Sequence, residues 1–305
     1  MIVKFLPGFE KKFKKILGEE FERLEECLHI KAKKAIRINT LKTTTKKIKE
    51  KLLQKGWKLE EVPWYSNAFF VDTEDKIAKT EEFYLGYFYI QDAGSLVPPL
   101  ILNPQEDEII LDLCASPGSK TTFIAELMKN SGLIIANDIS PKRIEALSCN
   151  LQKIGVCNTI VTMIDGRKIE KINMKFDKIL VDAPCSGSGT FISSFSVLNF
   201  WSEHIVKRLS NLQKQLIKAA SKVVKNGGEI VYSTCSIDPE ENEEILEYAV
   251  RKLNLEPVKI EVKGLKYRRG IQSYNGKEYK YSEYAIRFYP FDNLTEGFFV
   301  CKLRK

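Results

Sequence analysis

"EIILDLCASPGSK", residues 108–120, decides how this chain is built. An apolar run from Ile109 to Leu113 carries one carboxylate, Asp112. It stops at a turn holding Pro117 and Gly118, and a helix is expected from there to Lys129. A near-continuous apolar strand that hands over to a helix is the signature of a parallel sheet covered on both faces. The pattern repeats downstream. "GLIIAND", "TIVTMID", "FDKILVDA" and "GEIVYSTC" read as four more buried strands. Between and after them, "SPKRIEALSCNLQKIG", "SEHIVKRLSNLQKQLIKAASKVVKNGG" and "DPEENEEILEYAVRKL" read as helices. Ser140 is the expected cap of the first, glycine closes the second, and Asp238 caps the third. "PVKIEV" and "GFFVCKL" read as late strands, the last an edge or antiparallel addition.

Working toward the N-terminus, the texture changes before about residue 85. Residues 1–30 place Phe9, Phe13, Ile16, Leu17, Phe21, Leu24 and Leu28 at helical spacing. "AIRINTL" alternates like a strand. "TTTKKIKEKLLQKG" reads as a helix with Ile48, Leu52 and Leu53 inward, and "WKLEEV" as a second strand. The expected organisation is a small α/β domain over 1–84 and a larger α/β domain over 85–305.

Composition limits what such a protein does. The 305 residues are 44% hydrophobic and 29% charged, as in a globular protein. No apolar run approaches the ~20 residues of a membrane span, and the N-terminus lacks a signal-peptide core. Seven cysteines without paired spacing fit neither a disulfide framework nor a zinc site, so no metal is expected and a reducing, cytoplasmic compartment is. The net charge of +8 is uneven. Residues 1–60 hold seventeen Lys/Arg against eight Asp/Glu, and residues 259–305 hold eleven against five. Lys42, Lys46, Lys47, Lys49, Lys51 and Lys55 cluster around one helix. Basic ends around an acidic middle point to a polyanion such as RNA, against the plainer reading of a solvated lysine-rich surface. A monomer is expected.

Ligands of such sheets bind beyond the carboxyl ends of the strands. Three acids stand in or at the ends of successive strands: Asp112, Asp138 and Asp165. Asp138 follows Gly118 by twenty residues, the spacing of a ribose-binding acid. The first turn has one glycine, so neither a dinucleotide fingerprint nor a phosphate loop is present. Acids for ribose and adenine without a phosphate cradle suit S-adenosylmethionine. In the strand order 3-2-1-4-5 the fourth and fifth strands are neighbours. Cys185 in "DAPC" and Cys235 in "STC" then face the cofactor crevice, with Asp182 beside them. Cys27, Cys149, Cys157 and Cys301 read as small buried structural residues.

Several ordered motifs resemble those of the Sun-type RNA 5-methylcytosine methyltransferases: "LDLCASPGSKT", "NDISPKRIEAL", "VDAPCSGSG", "YSTCSIDPEENE" and "EGFFVCKLRK". "AIRINTLK" and "YIQDAGSLVPPLIL" resemble that family's N-terminal motifs. The resemblance spans Arg37 to Leu303. Ser116 and Ser119 stand where the family usually has Ala and Gly. The compact length is similar to that of archaeal members acting on tRNA. The resemblance implies a Rossmann-like methyltransferase sheet, S-adenosylmethionine as cofactor and RNA, foremost tRNA, as substrate, with ribosomal RNA as the alternative. It implies Cys235 as nucleophile, Cys185 as the thiol assisting product release, Asp182 at the base and Lys120 supporting the activated ring. It assigns the methionine moiety to Cys114, Ala115, Ser116, Pro117, Gly118, Ser119 and Lys120. Asp138 and Arg143 serve the ribose, Asp165 the adenine, and Asp182 the methionine end. Competing readings are amino-group methylation, which lacks its Asn/Asp-Pro-Pro-aromatic motif here, DNA cytosine methylation, and an RNA-binding assembly factor with a dead methyltransferase fold. His29 and His204 have no role in this scheme. Phe191, Phe195, Phe200 and Trp201 either stack on RNA bases or pack their loop.

Overall fold

The computed structural model describes residues 4–305, so the first three residues of the expected helical stretch lie outside the described residues. Helices α1 (Pro7–Leu17) and α2 (Phe21–Glu26) come first, joined by one tight turn at Gly18–Glu20. Pro7 presets the backbone of the first turn of α1. Their buried face does not cover the neighbouring small sheet. Phe9, Phe13, Phe21 and Leu24 pack instead on Phe191, Leu198, Trp201 and Ile237, far along the chain.

The small sheet contains β1 (Ala35–Ile38), β2 (Lys58–Val62), β3 (Tyr65–Asp72) and β4 (Phe88–Ile90), with α3 (Thr45–Gln54) and the short α4 (Glu81–Tyr84) between strands. All its pairings are antiparallel, in the order β2-β3-β1-β4. The expected strand–helix–strand unit is therefore part of a larger sheet, and β3 separates its two strands. Pairing of β4 with β1 carries this sheet to Ile90, beyond the division expected after residue 84. Thr44 caps α3 by accepting the N–H of Lys47, and Ile48 and Leu52 are buried. Leu53 is 47% exposed, contrary to expectation, because one residue of helix turns it off the face that Leu52 buries.

After α5 (Val97–Leu102) the chain forms the large sheet: β5 (Ile109–Asp112), α6 (Ser119–Leu127), β6 (Leu133–Asn137), α7 (Pro141–Ile154), β7 (Thr159–Thr162), β8 (Phe176–Asp182), α8 (Ser196–Phe200), α9 (Glu203–Val223) and β9 (Val224–Thr234). Then follow α10 (Glu243–Leu253), β10 (Glu256–Val258), β11 (Arg268–Arg269), a hairpin of β12 (Ser273–Tyr274) and β13 (Lys277–Glu278), β14 (Ile286–Phe288), α11 (Pro290–Asn293) and β15 (Phe298–Arg304). The order is β11-β14-β15-β9-β8-β5-β6-β7, parallel from β7 to β9, so the 3-2-1-4-5 core holds. The last strand, β15, runs antiparallel as one alternative had it, but between β9 and β14 rather than at an edge.

Four local expectations change. Glycine does not close α9; Gly227 and Gly228 lie inside β9, which starts directly after the helix. "PVKIEV" is a strand only to Val258. Ser140 sits at the cap position of α7, yet its side chain makes no capping bond, and Asp138 Oδ1 accepts its N–H instead. Asp238 does not cap α10: that helix begins at Glu243 behind Asn242, and Asp238 is buried in the preceding turn. No helix among the described residues is long and apolar enough to cross a membrane.

Candidate active site

The register of β8 on β9 sets Asp182 opposite Ser233. Ser233 Oγ donates to Asp182 Oδ1 at 2.7 Å, and Lys120 Nζ stands 2.7 Å from Asp182 Oδ2. Lys120 comes from the first turn of α6. Burial works against its charge, but Asp182 first and then the nearby Cys235 and Asp112 raise its pKa, so it remains a cation. Just past the two strands, the sulfurs of Cys185 and Cys235 lie 3.2 Å apart, and both thiols are free. The contact with Cys235, followed by burial and the charge of Glu241, pushes the Cys185 thiol well up. This environment favours the protonated form of Cys185.

A buried polar bed supports the thiol loops. Ser186 donates its N–H to Glu241 Oε1 at 3.0 Å and its hydroxyl to Oε2 at 2.5 Å; Gln213 Nε2 donates to Oε1 at 2.9 Å. Burial, then the charge of Asp238, pushes the Glu241 carboxyl up to about 7. Asp238 accepts from Lys12 Nζ at 2.5 Å and from Trp201 Nε1 at 3.2 Å. Lys12 also reaches Glu240 at 2.7 Å.

Two cavities meet at this point. The larger, about 860 Å³, opens beyond the ends of the parallel strands, and its wall includes Cys114, Ser116, Asp138, Arg143, Asp165 and Asp182. The smaller, about 290 Å³, has Gln91, Asp92, Lys120, Glu296 and Phe298 in its wall. Asp182, Ala183 and Cys235 belong to both. Asp138 Oδ2 accepts the N–H of Ser116 at 3.3 Å and faces Arg143 Nε at 3.2 Å, which clamps the first turn to the end of β6. Gly118, at φ +103°, takes a conformation that side chains disfavour, and a Cβ there would stand 3.0 Å from Leu147. Asp165 is held below the usual carboxylate range by Arg167 at 2.6 Å. The larger cavity has a volume usual for a small-molecule site of roughly 300–1,000 Å³. A carboxylate at the end of β6 and a second acid beyond β7 match a ribose and a purine, so these residues fit S-adenosylmethionine.

Of the residues expected at the site, Lys120, Asp182, Cys185 and Cys235 come together. Cys114, Ser116, Asp138, Arg143 and Asp165 surround the larger cavity, while Pro117, Ser119 and Lys120 face the smaller one. Ala115 and Gly118 shape the turn from behind: Ala115 donates its N–H to Asn137 and accepts that of Gly118, both at 2.8 Å. Asp112 points inward to Thr121 at 2.7 Å, and burial pushes its carboxyl up to about 7. Cys27 and Cys301 are buried, but Cys149 and Cys157 are exposed, since Cys149 is on the outer side of α7 and Cys157 in the loop after it. His29 and His204 are exposed. Phe191 and Trp201 pack against α1, whereas Phe195 and Phe200 are exposed, by 41% and 73%. Sequence reasoning missed Arg208, Leu212 and Gln215 of α9 in the larger cavity, and Gln91, Asp92 and Glu296 in the smaller. Asp92 stands inside "YIQDAGSLVPPLIL" and Glu296 inside "EGFFVCKLRK", and no spacing marked either.

Comparison with known proteins gives a consistent picture. The family described as 16S rRNA methyltransferase RsmB/F matches residues 99–304, and the N-terminal domain of 16S rRNA methyltransferase RsmF matches residues 6–93. The tRNA (cytosine(49)-C(5))-methyltransferase of Pyrococcus abyssi is 38% identical over 309 residues, covering 97% of this chain and 99% of that protein. A 28S rRNA (cytosine-C(5))-methyltransferase of Mus musculus is 38% identical over 278 residues, covering 88% of this chain and 35% of its own length. Among solved structures, a methyltransferase homolog protein from Pyrococcus horikoshii superposes with a TM-score of 0.88 at 34% identity, over 97% of this chain and 94% of that one. NSun6 from Pyrococcus horikoshii with SFG gives 0.87 at 26% identity, over 99% and 98%.

Proposed function

This chain belongs to the RsmB/F family of methyltransferases, and from that premise we propose that it methylates carbon 5 of cytosine in RNA, with tRNA as the substrate class. The observation that carries the reading is the pair of thiols 3.2 Å apart beside the Lys120–Asp182 ion pair, where two cavities share a wall. S-adenosylmethionine, held by Asp138, Arg143, Asp165 and the Cys114–Gly118 turn, supplies a methyl group on an electrophilic sulfonium.

Carbon 5 of cytosine is a weak nucleophile until carbon 6 is attacked. Cys235, as thiolate, forms the bond to carbon 6, and the displaced electron pair makes carbon 5 an enamine carbon. Asp182, paired with Lys120, accepts from the exocyclic amino group and orients the ring. After methylation the carbon-5 hydrogen passes as a proton to solvent water, and the electrons of the broken C–H bond expel the sulfur of Cys235. Cys185, protonated and in contact with that sulfur, assists this release by donating to the departing thiolate. The target base must be turned out of its stack to enter the smaller cavity. The basic N-terminal unit, which we take to run through Ile90, grips the RNA backbone. We further assign the protein to the cytoplasm, as a monomer.

Full-length similarity to the Pyrococcus abyssi protein favours tRNA over ribosomal RNA. The test is bisulfite sequencing of total RNA from a deletion strain beside its parent, with purified protein then supplied to unmodified RNA. One or more tRNA cytosines should lose protection in the deletion and regain it in vitro. Protection lost only in ribosomal RNA would move the substrate class; no change at any cytosine would remove the activity.

A further inference from the structure

The smaller cavity contains a carboxyl group that thiol addition, methyl transfer and release all leave unused, and a role for it rests on cytosine being the base received there. Glu296 is tied to both thiol loops through the backbone. Gly189 donates its N–H to Cys235 O at 2.9 Å, and Gly297 donates to Gly189 O at 2.8 Å. Neither glycine leaves room for a side chain: a Cβ on Gly189 would stand 2.5 Å from Gly297 O, and one on Gly297 2.9 Å from Ile237. Glu296 is therefore one residue from a three-segment contact that fixes it relative to Cys235.

On its other side is Asp92. Asp92 Oδ1 accepts the N–H of Gly94 at 2.8 Å, and Oδ2 accepts the N–H of Glu296 itself at 3.0 Å. Burial pushes the Asp92 carboxyl up to about 6, and the backbone donor on each oxygen offsets only part of that rise. The remaining titratable groups in this wall are Tyr89 from β4, whose phenol burial keeps protonated, Lys120 from α6, Asp182 from β8 and Cys235 after β9. Lys120 is paired with Asp182 at 2.7 Å, and its charge also lowers Glu296, but by less than burial and Asp92 raise it. Burial, then the charge of Asp92, pushes Glu296 up to about 7. Burial and Asp92 push Glu296 up further than burial pushes Asp92, so of the two acids Glu296 is the one that retains a proton toward neutral pH.

Cytosine offers an amino donor at carbon 4 and acceptors at N3 and O2. Both oxygens of Asp182 already accept, from Ser233 and from Lys120, so it serves the base as an acceptor. Electron density flows toward N3 and O2 while the sulfur–carbon 6 bond forms, and neither Asp182 nor the two thiols donates to them. We infer that Glu296, as a neutral carboxyl, donates a hydrogen bond to the N3/O2 face of the target cytosine and strengthens it as the covalent adduct forms. The carboxyl keeps its proton throughout, so no net proton transfer is required. Ionised Glu296 would instead present negative charge to two acceptors and oppose the addition.

The pH dependence of kcat/KM for RNA tests this, with product identified as 5-methylcytidine by mass spectrometry of digested nucleosides. Wild type should lose activity above pH about 7, approaching tenfold per pH unit. Glu296→Gln keeps a neutral donor: it should lie within about threefold of wild type at pH 6.5 and lack the alkaline fall. Glu296→Ala should lose at least about tenfold at pH 6.5, the size of one hydrogen bond to a developing charge. A Gln variant with the wild-type alkaline fall, or a wild type without one, would overturn the role. So would loss of cofactor affinity in the Gln variant by calorimetry, which would mark a structural residue. Wild type that makes no 5-methylcytidine on any RNA would overturn the activity itself, and that is read from the product before any variant is compared.

Discussion

Cys185 touches Cys235 and leads into the Ser186 loop held by Glu241, whereas Cys235 opens onto both cavities. That asymmetry separates their variants. Cys235→Ala should bind RNA and cofactor but give neither turnover nor a covalent species. Cys185→Ala should also lose turnover, yet accumulate a protein–RNA adduct that survives denaturing electrophoresis. An adduct in the first variant and none in the second would exchange their roles. Asp138 is a second point of leverage. Replacing it with Ala removes the hydrogen bonds of a charged group, at ~1.5–3 kcal/mol, so S-adenosylmethionine affinity measured by calorimetry should fall at least about tenfold. Asp138, Asp165, Asp182 and both thiols were legible in the sequence because topology alone sends the carboxyl ends of parallel strands to one crevice. Asp92, Glu241 and Glu296 were not. Each acquires its role from a loop that meets another segment far away in sequence, and a lone acid in "QDAGS" or "EGFF" carries no spacing to show it.

Strand β3 shows how an element escapes notice. Phe69 and Val71 pack beneath α3, while Ala68 and Phe70 pack against Leu96 and Phe123 of the large domain. Buried on both faces, it lacks the polar alternation that marked "AIRINTL". Its partner element, α3, corrects the expected RNA grip in detail. Lys51 contacts the fully buried side chain of Glu82 at 3.0 Å, and Lys55 contacts it at 2.6 Å. Lys49 pairs with Glu61, and Lys42 donates to the carbonyls of Leu85 and Lys153. These lysines hold the unit together. Lys46 and Lys47 are exposed and make no ion pair among the described residues, so they are the phosphate-binding candidates. Replacing both with Ala should weaken RNA binding and flatten the dependence of log K on log salt by roughly 1.5, with cofactor affinity unchanged. Lys51→Ala should instead lower thermal stability, since it withdraws one partner of a buried carboxylate. RNA affinity untouched in the double variant would remove α3 from the interface.

Across the whole molecule, the N-terminal region braces the catalytic loops from two sides. Arg37 of β1 is fully buried and reaches Glu126 at 3.3 Å, Gln91 at 2.6 Å and Ser119 O at 2.9 Å, which ties the small sheet to the helix that carries Lys120. Lys12 of α1 crosses to Asp238, three residues after Cys235. Burial would lower its pKa, but the Asp238 and Glu240 carboxylates raise it further than burial depresses it, so the ammonium stays charged. Lys12→Met would strand the Asp238 carboxylate in the interior at a cost of about 3–5 kcal/mol. Thermal unfolding should show a shift on the order of 10 °C, partly recovered by adding Asp238→Asn; an unshifted midpoint would deny α1 this bracing role. The basic N-terminal run read as a polyanion grip is thus divided in the fold between surface charge and buried struts.

The contact between the two sulfurs also exposes the enzyme to oxidation. A disulfide needs them at about 2.05 Å, only a little closer than they already stand. A two-electron oxidant such as peroxide would take two electrons and release both thiol protons, leaving neither sulfur able to attack carbon 6. Methyl transfer should therefore cease on mild peroxide treatment with a mass loss of two hydrogens, and return with dithiothreitol, so that RNA methylation by this protein follows the redox state of its surroundings as well as the supply of its substrates.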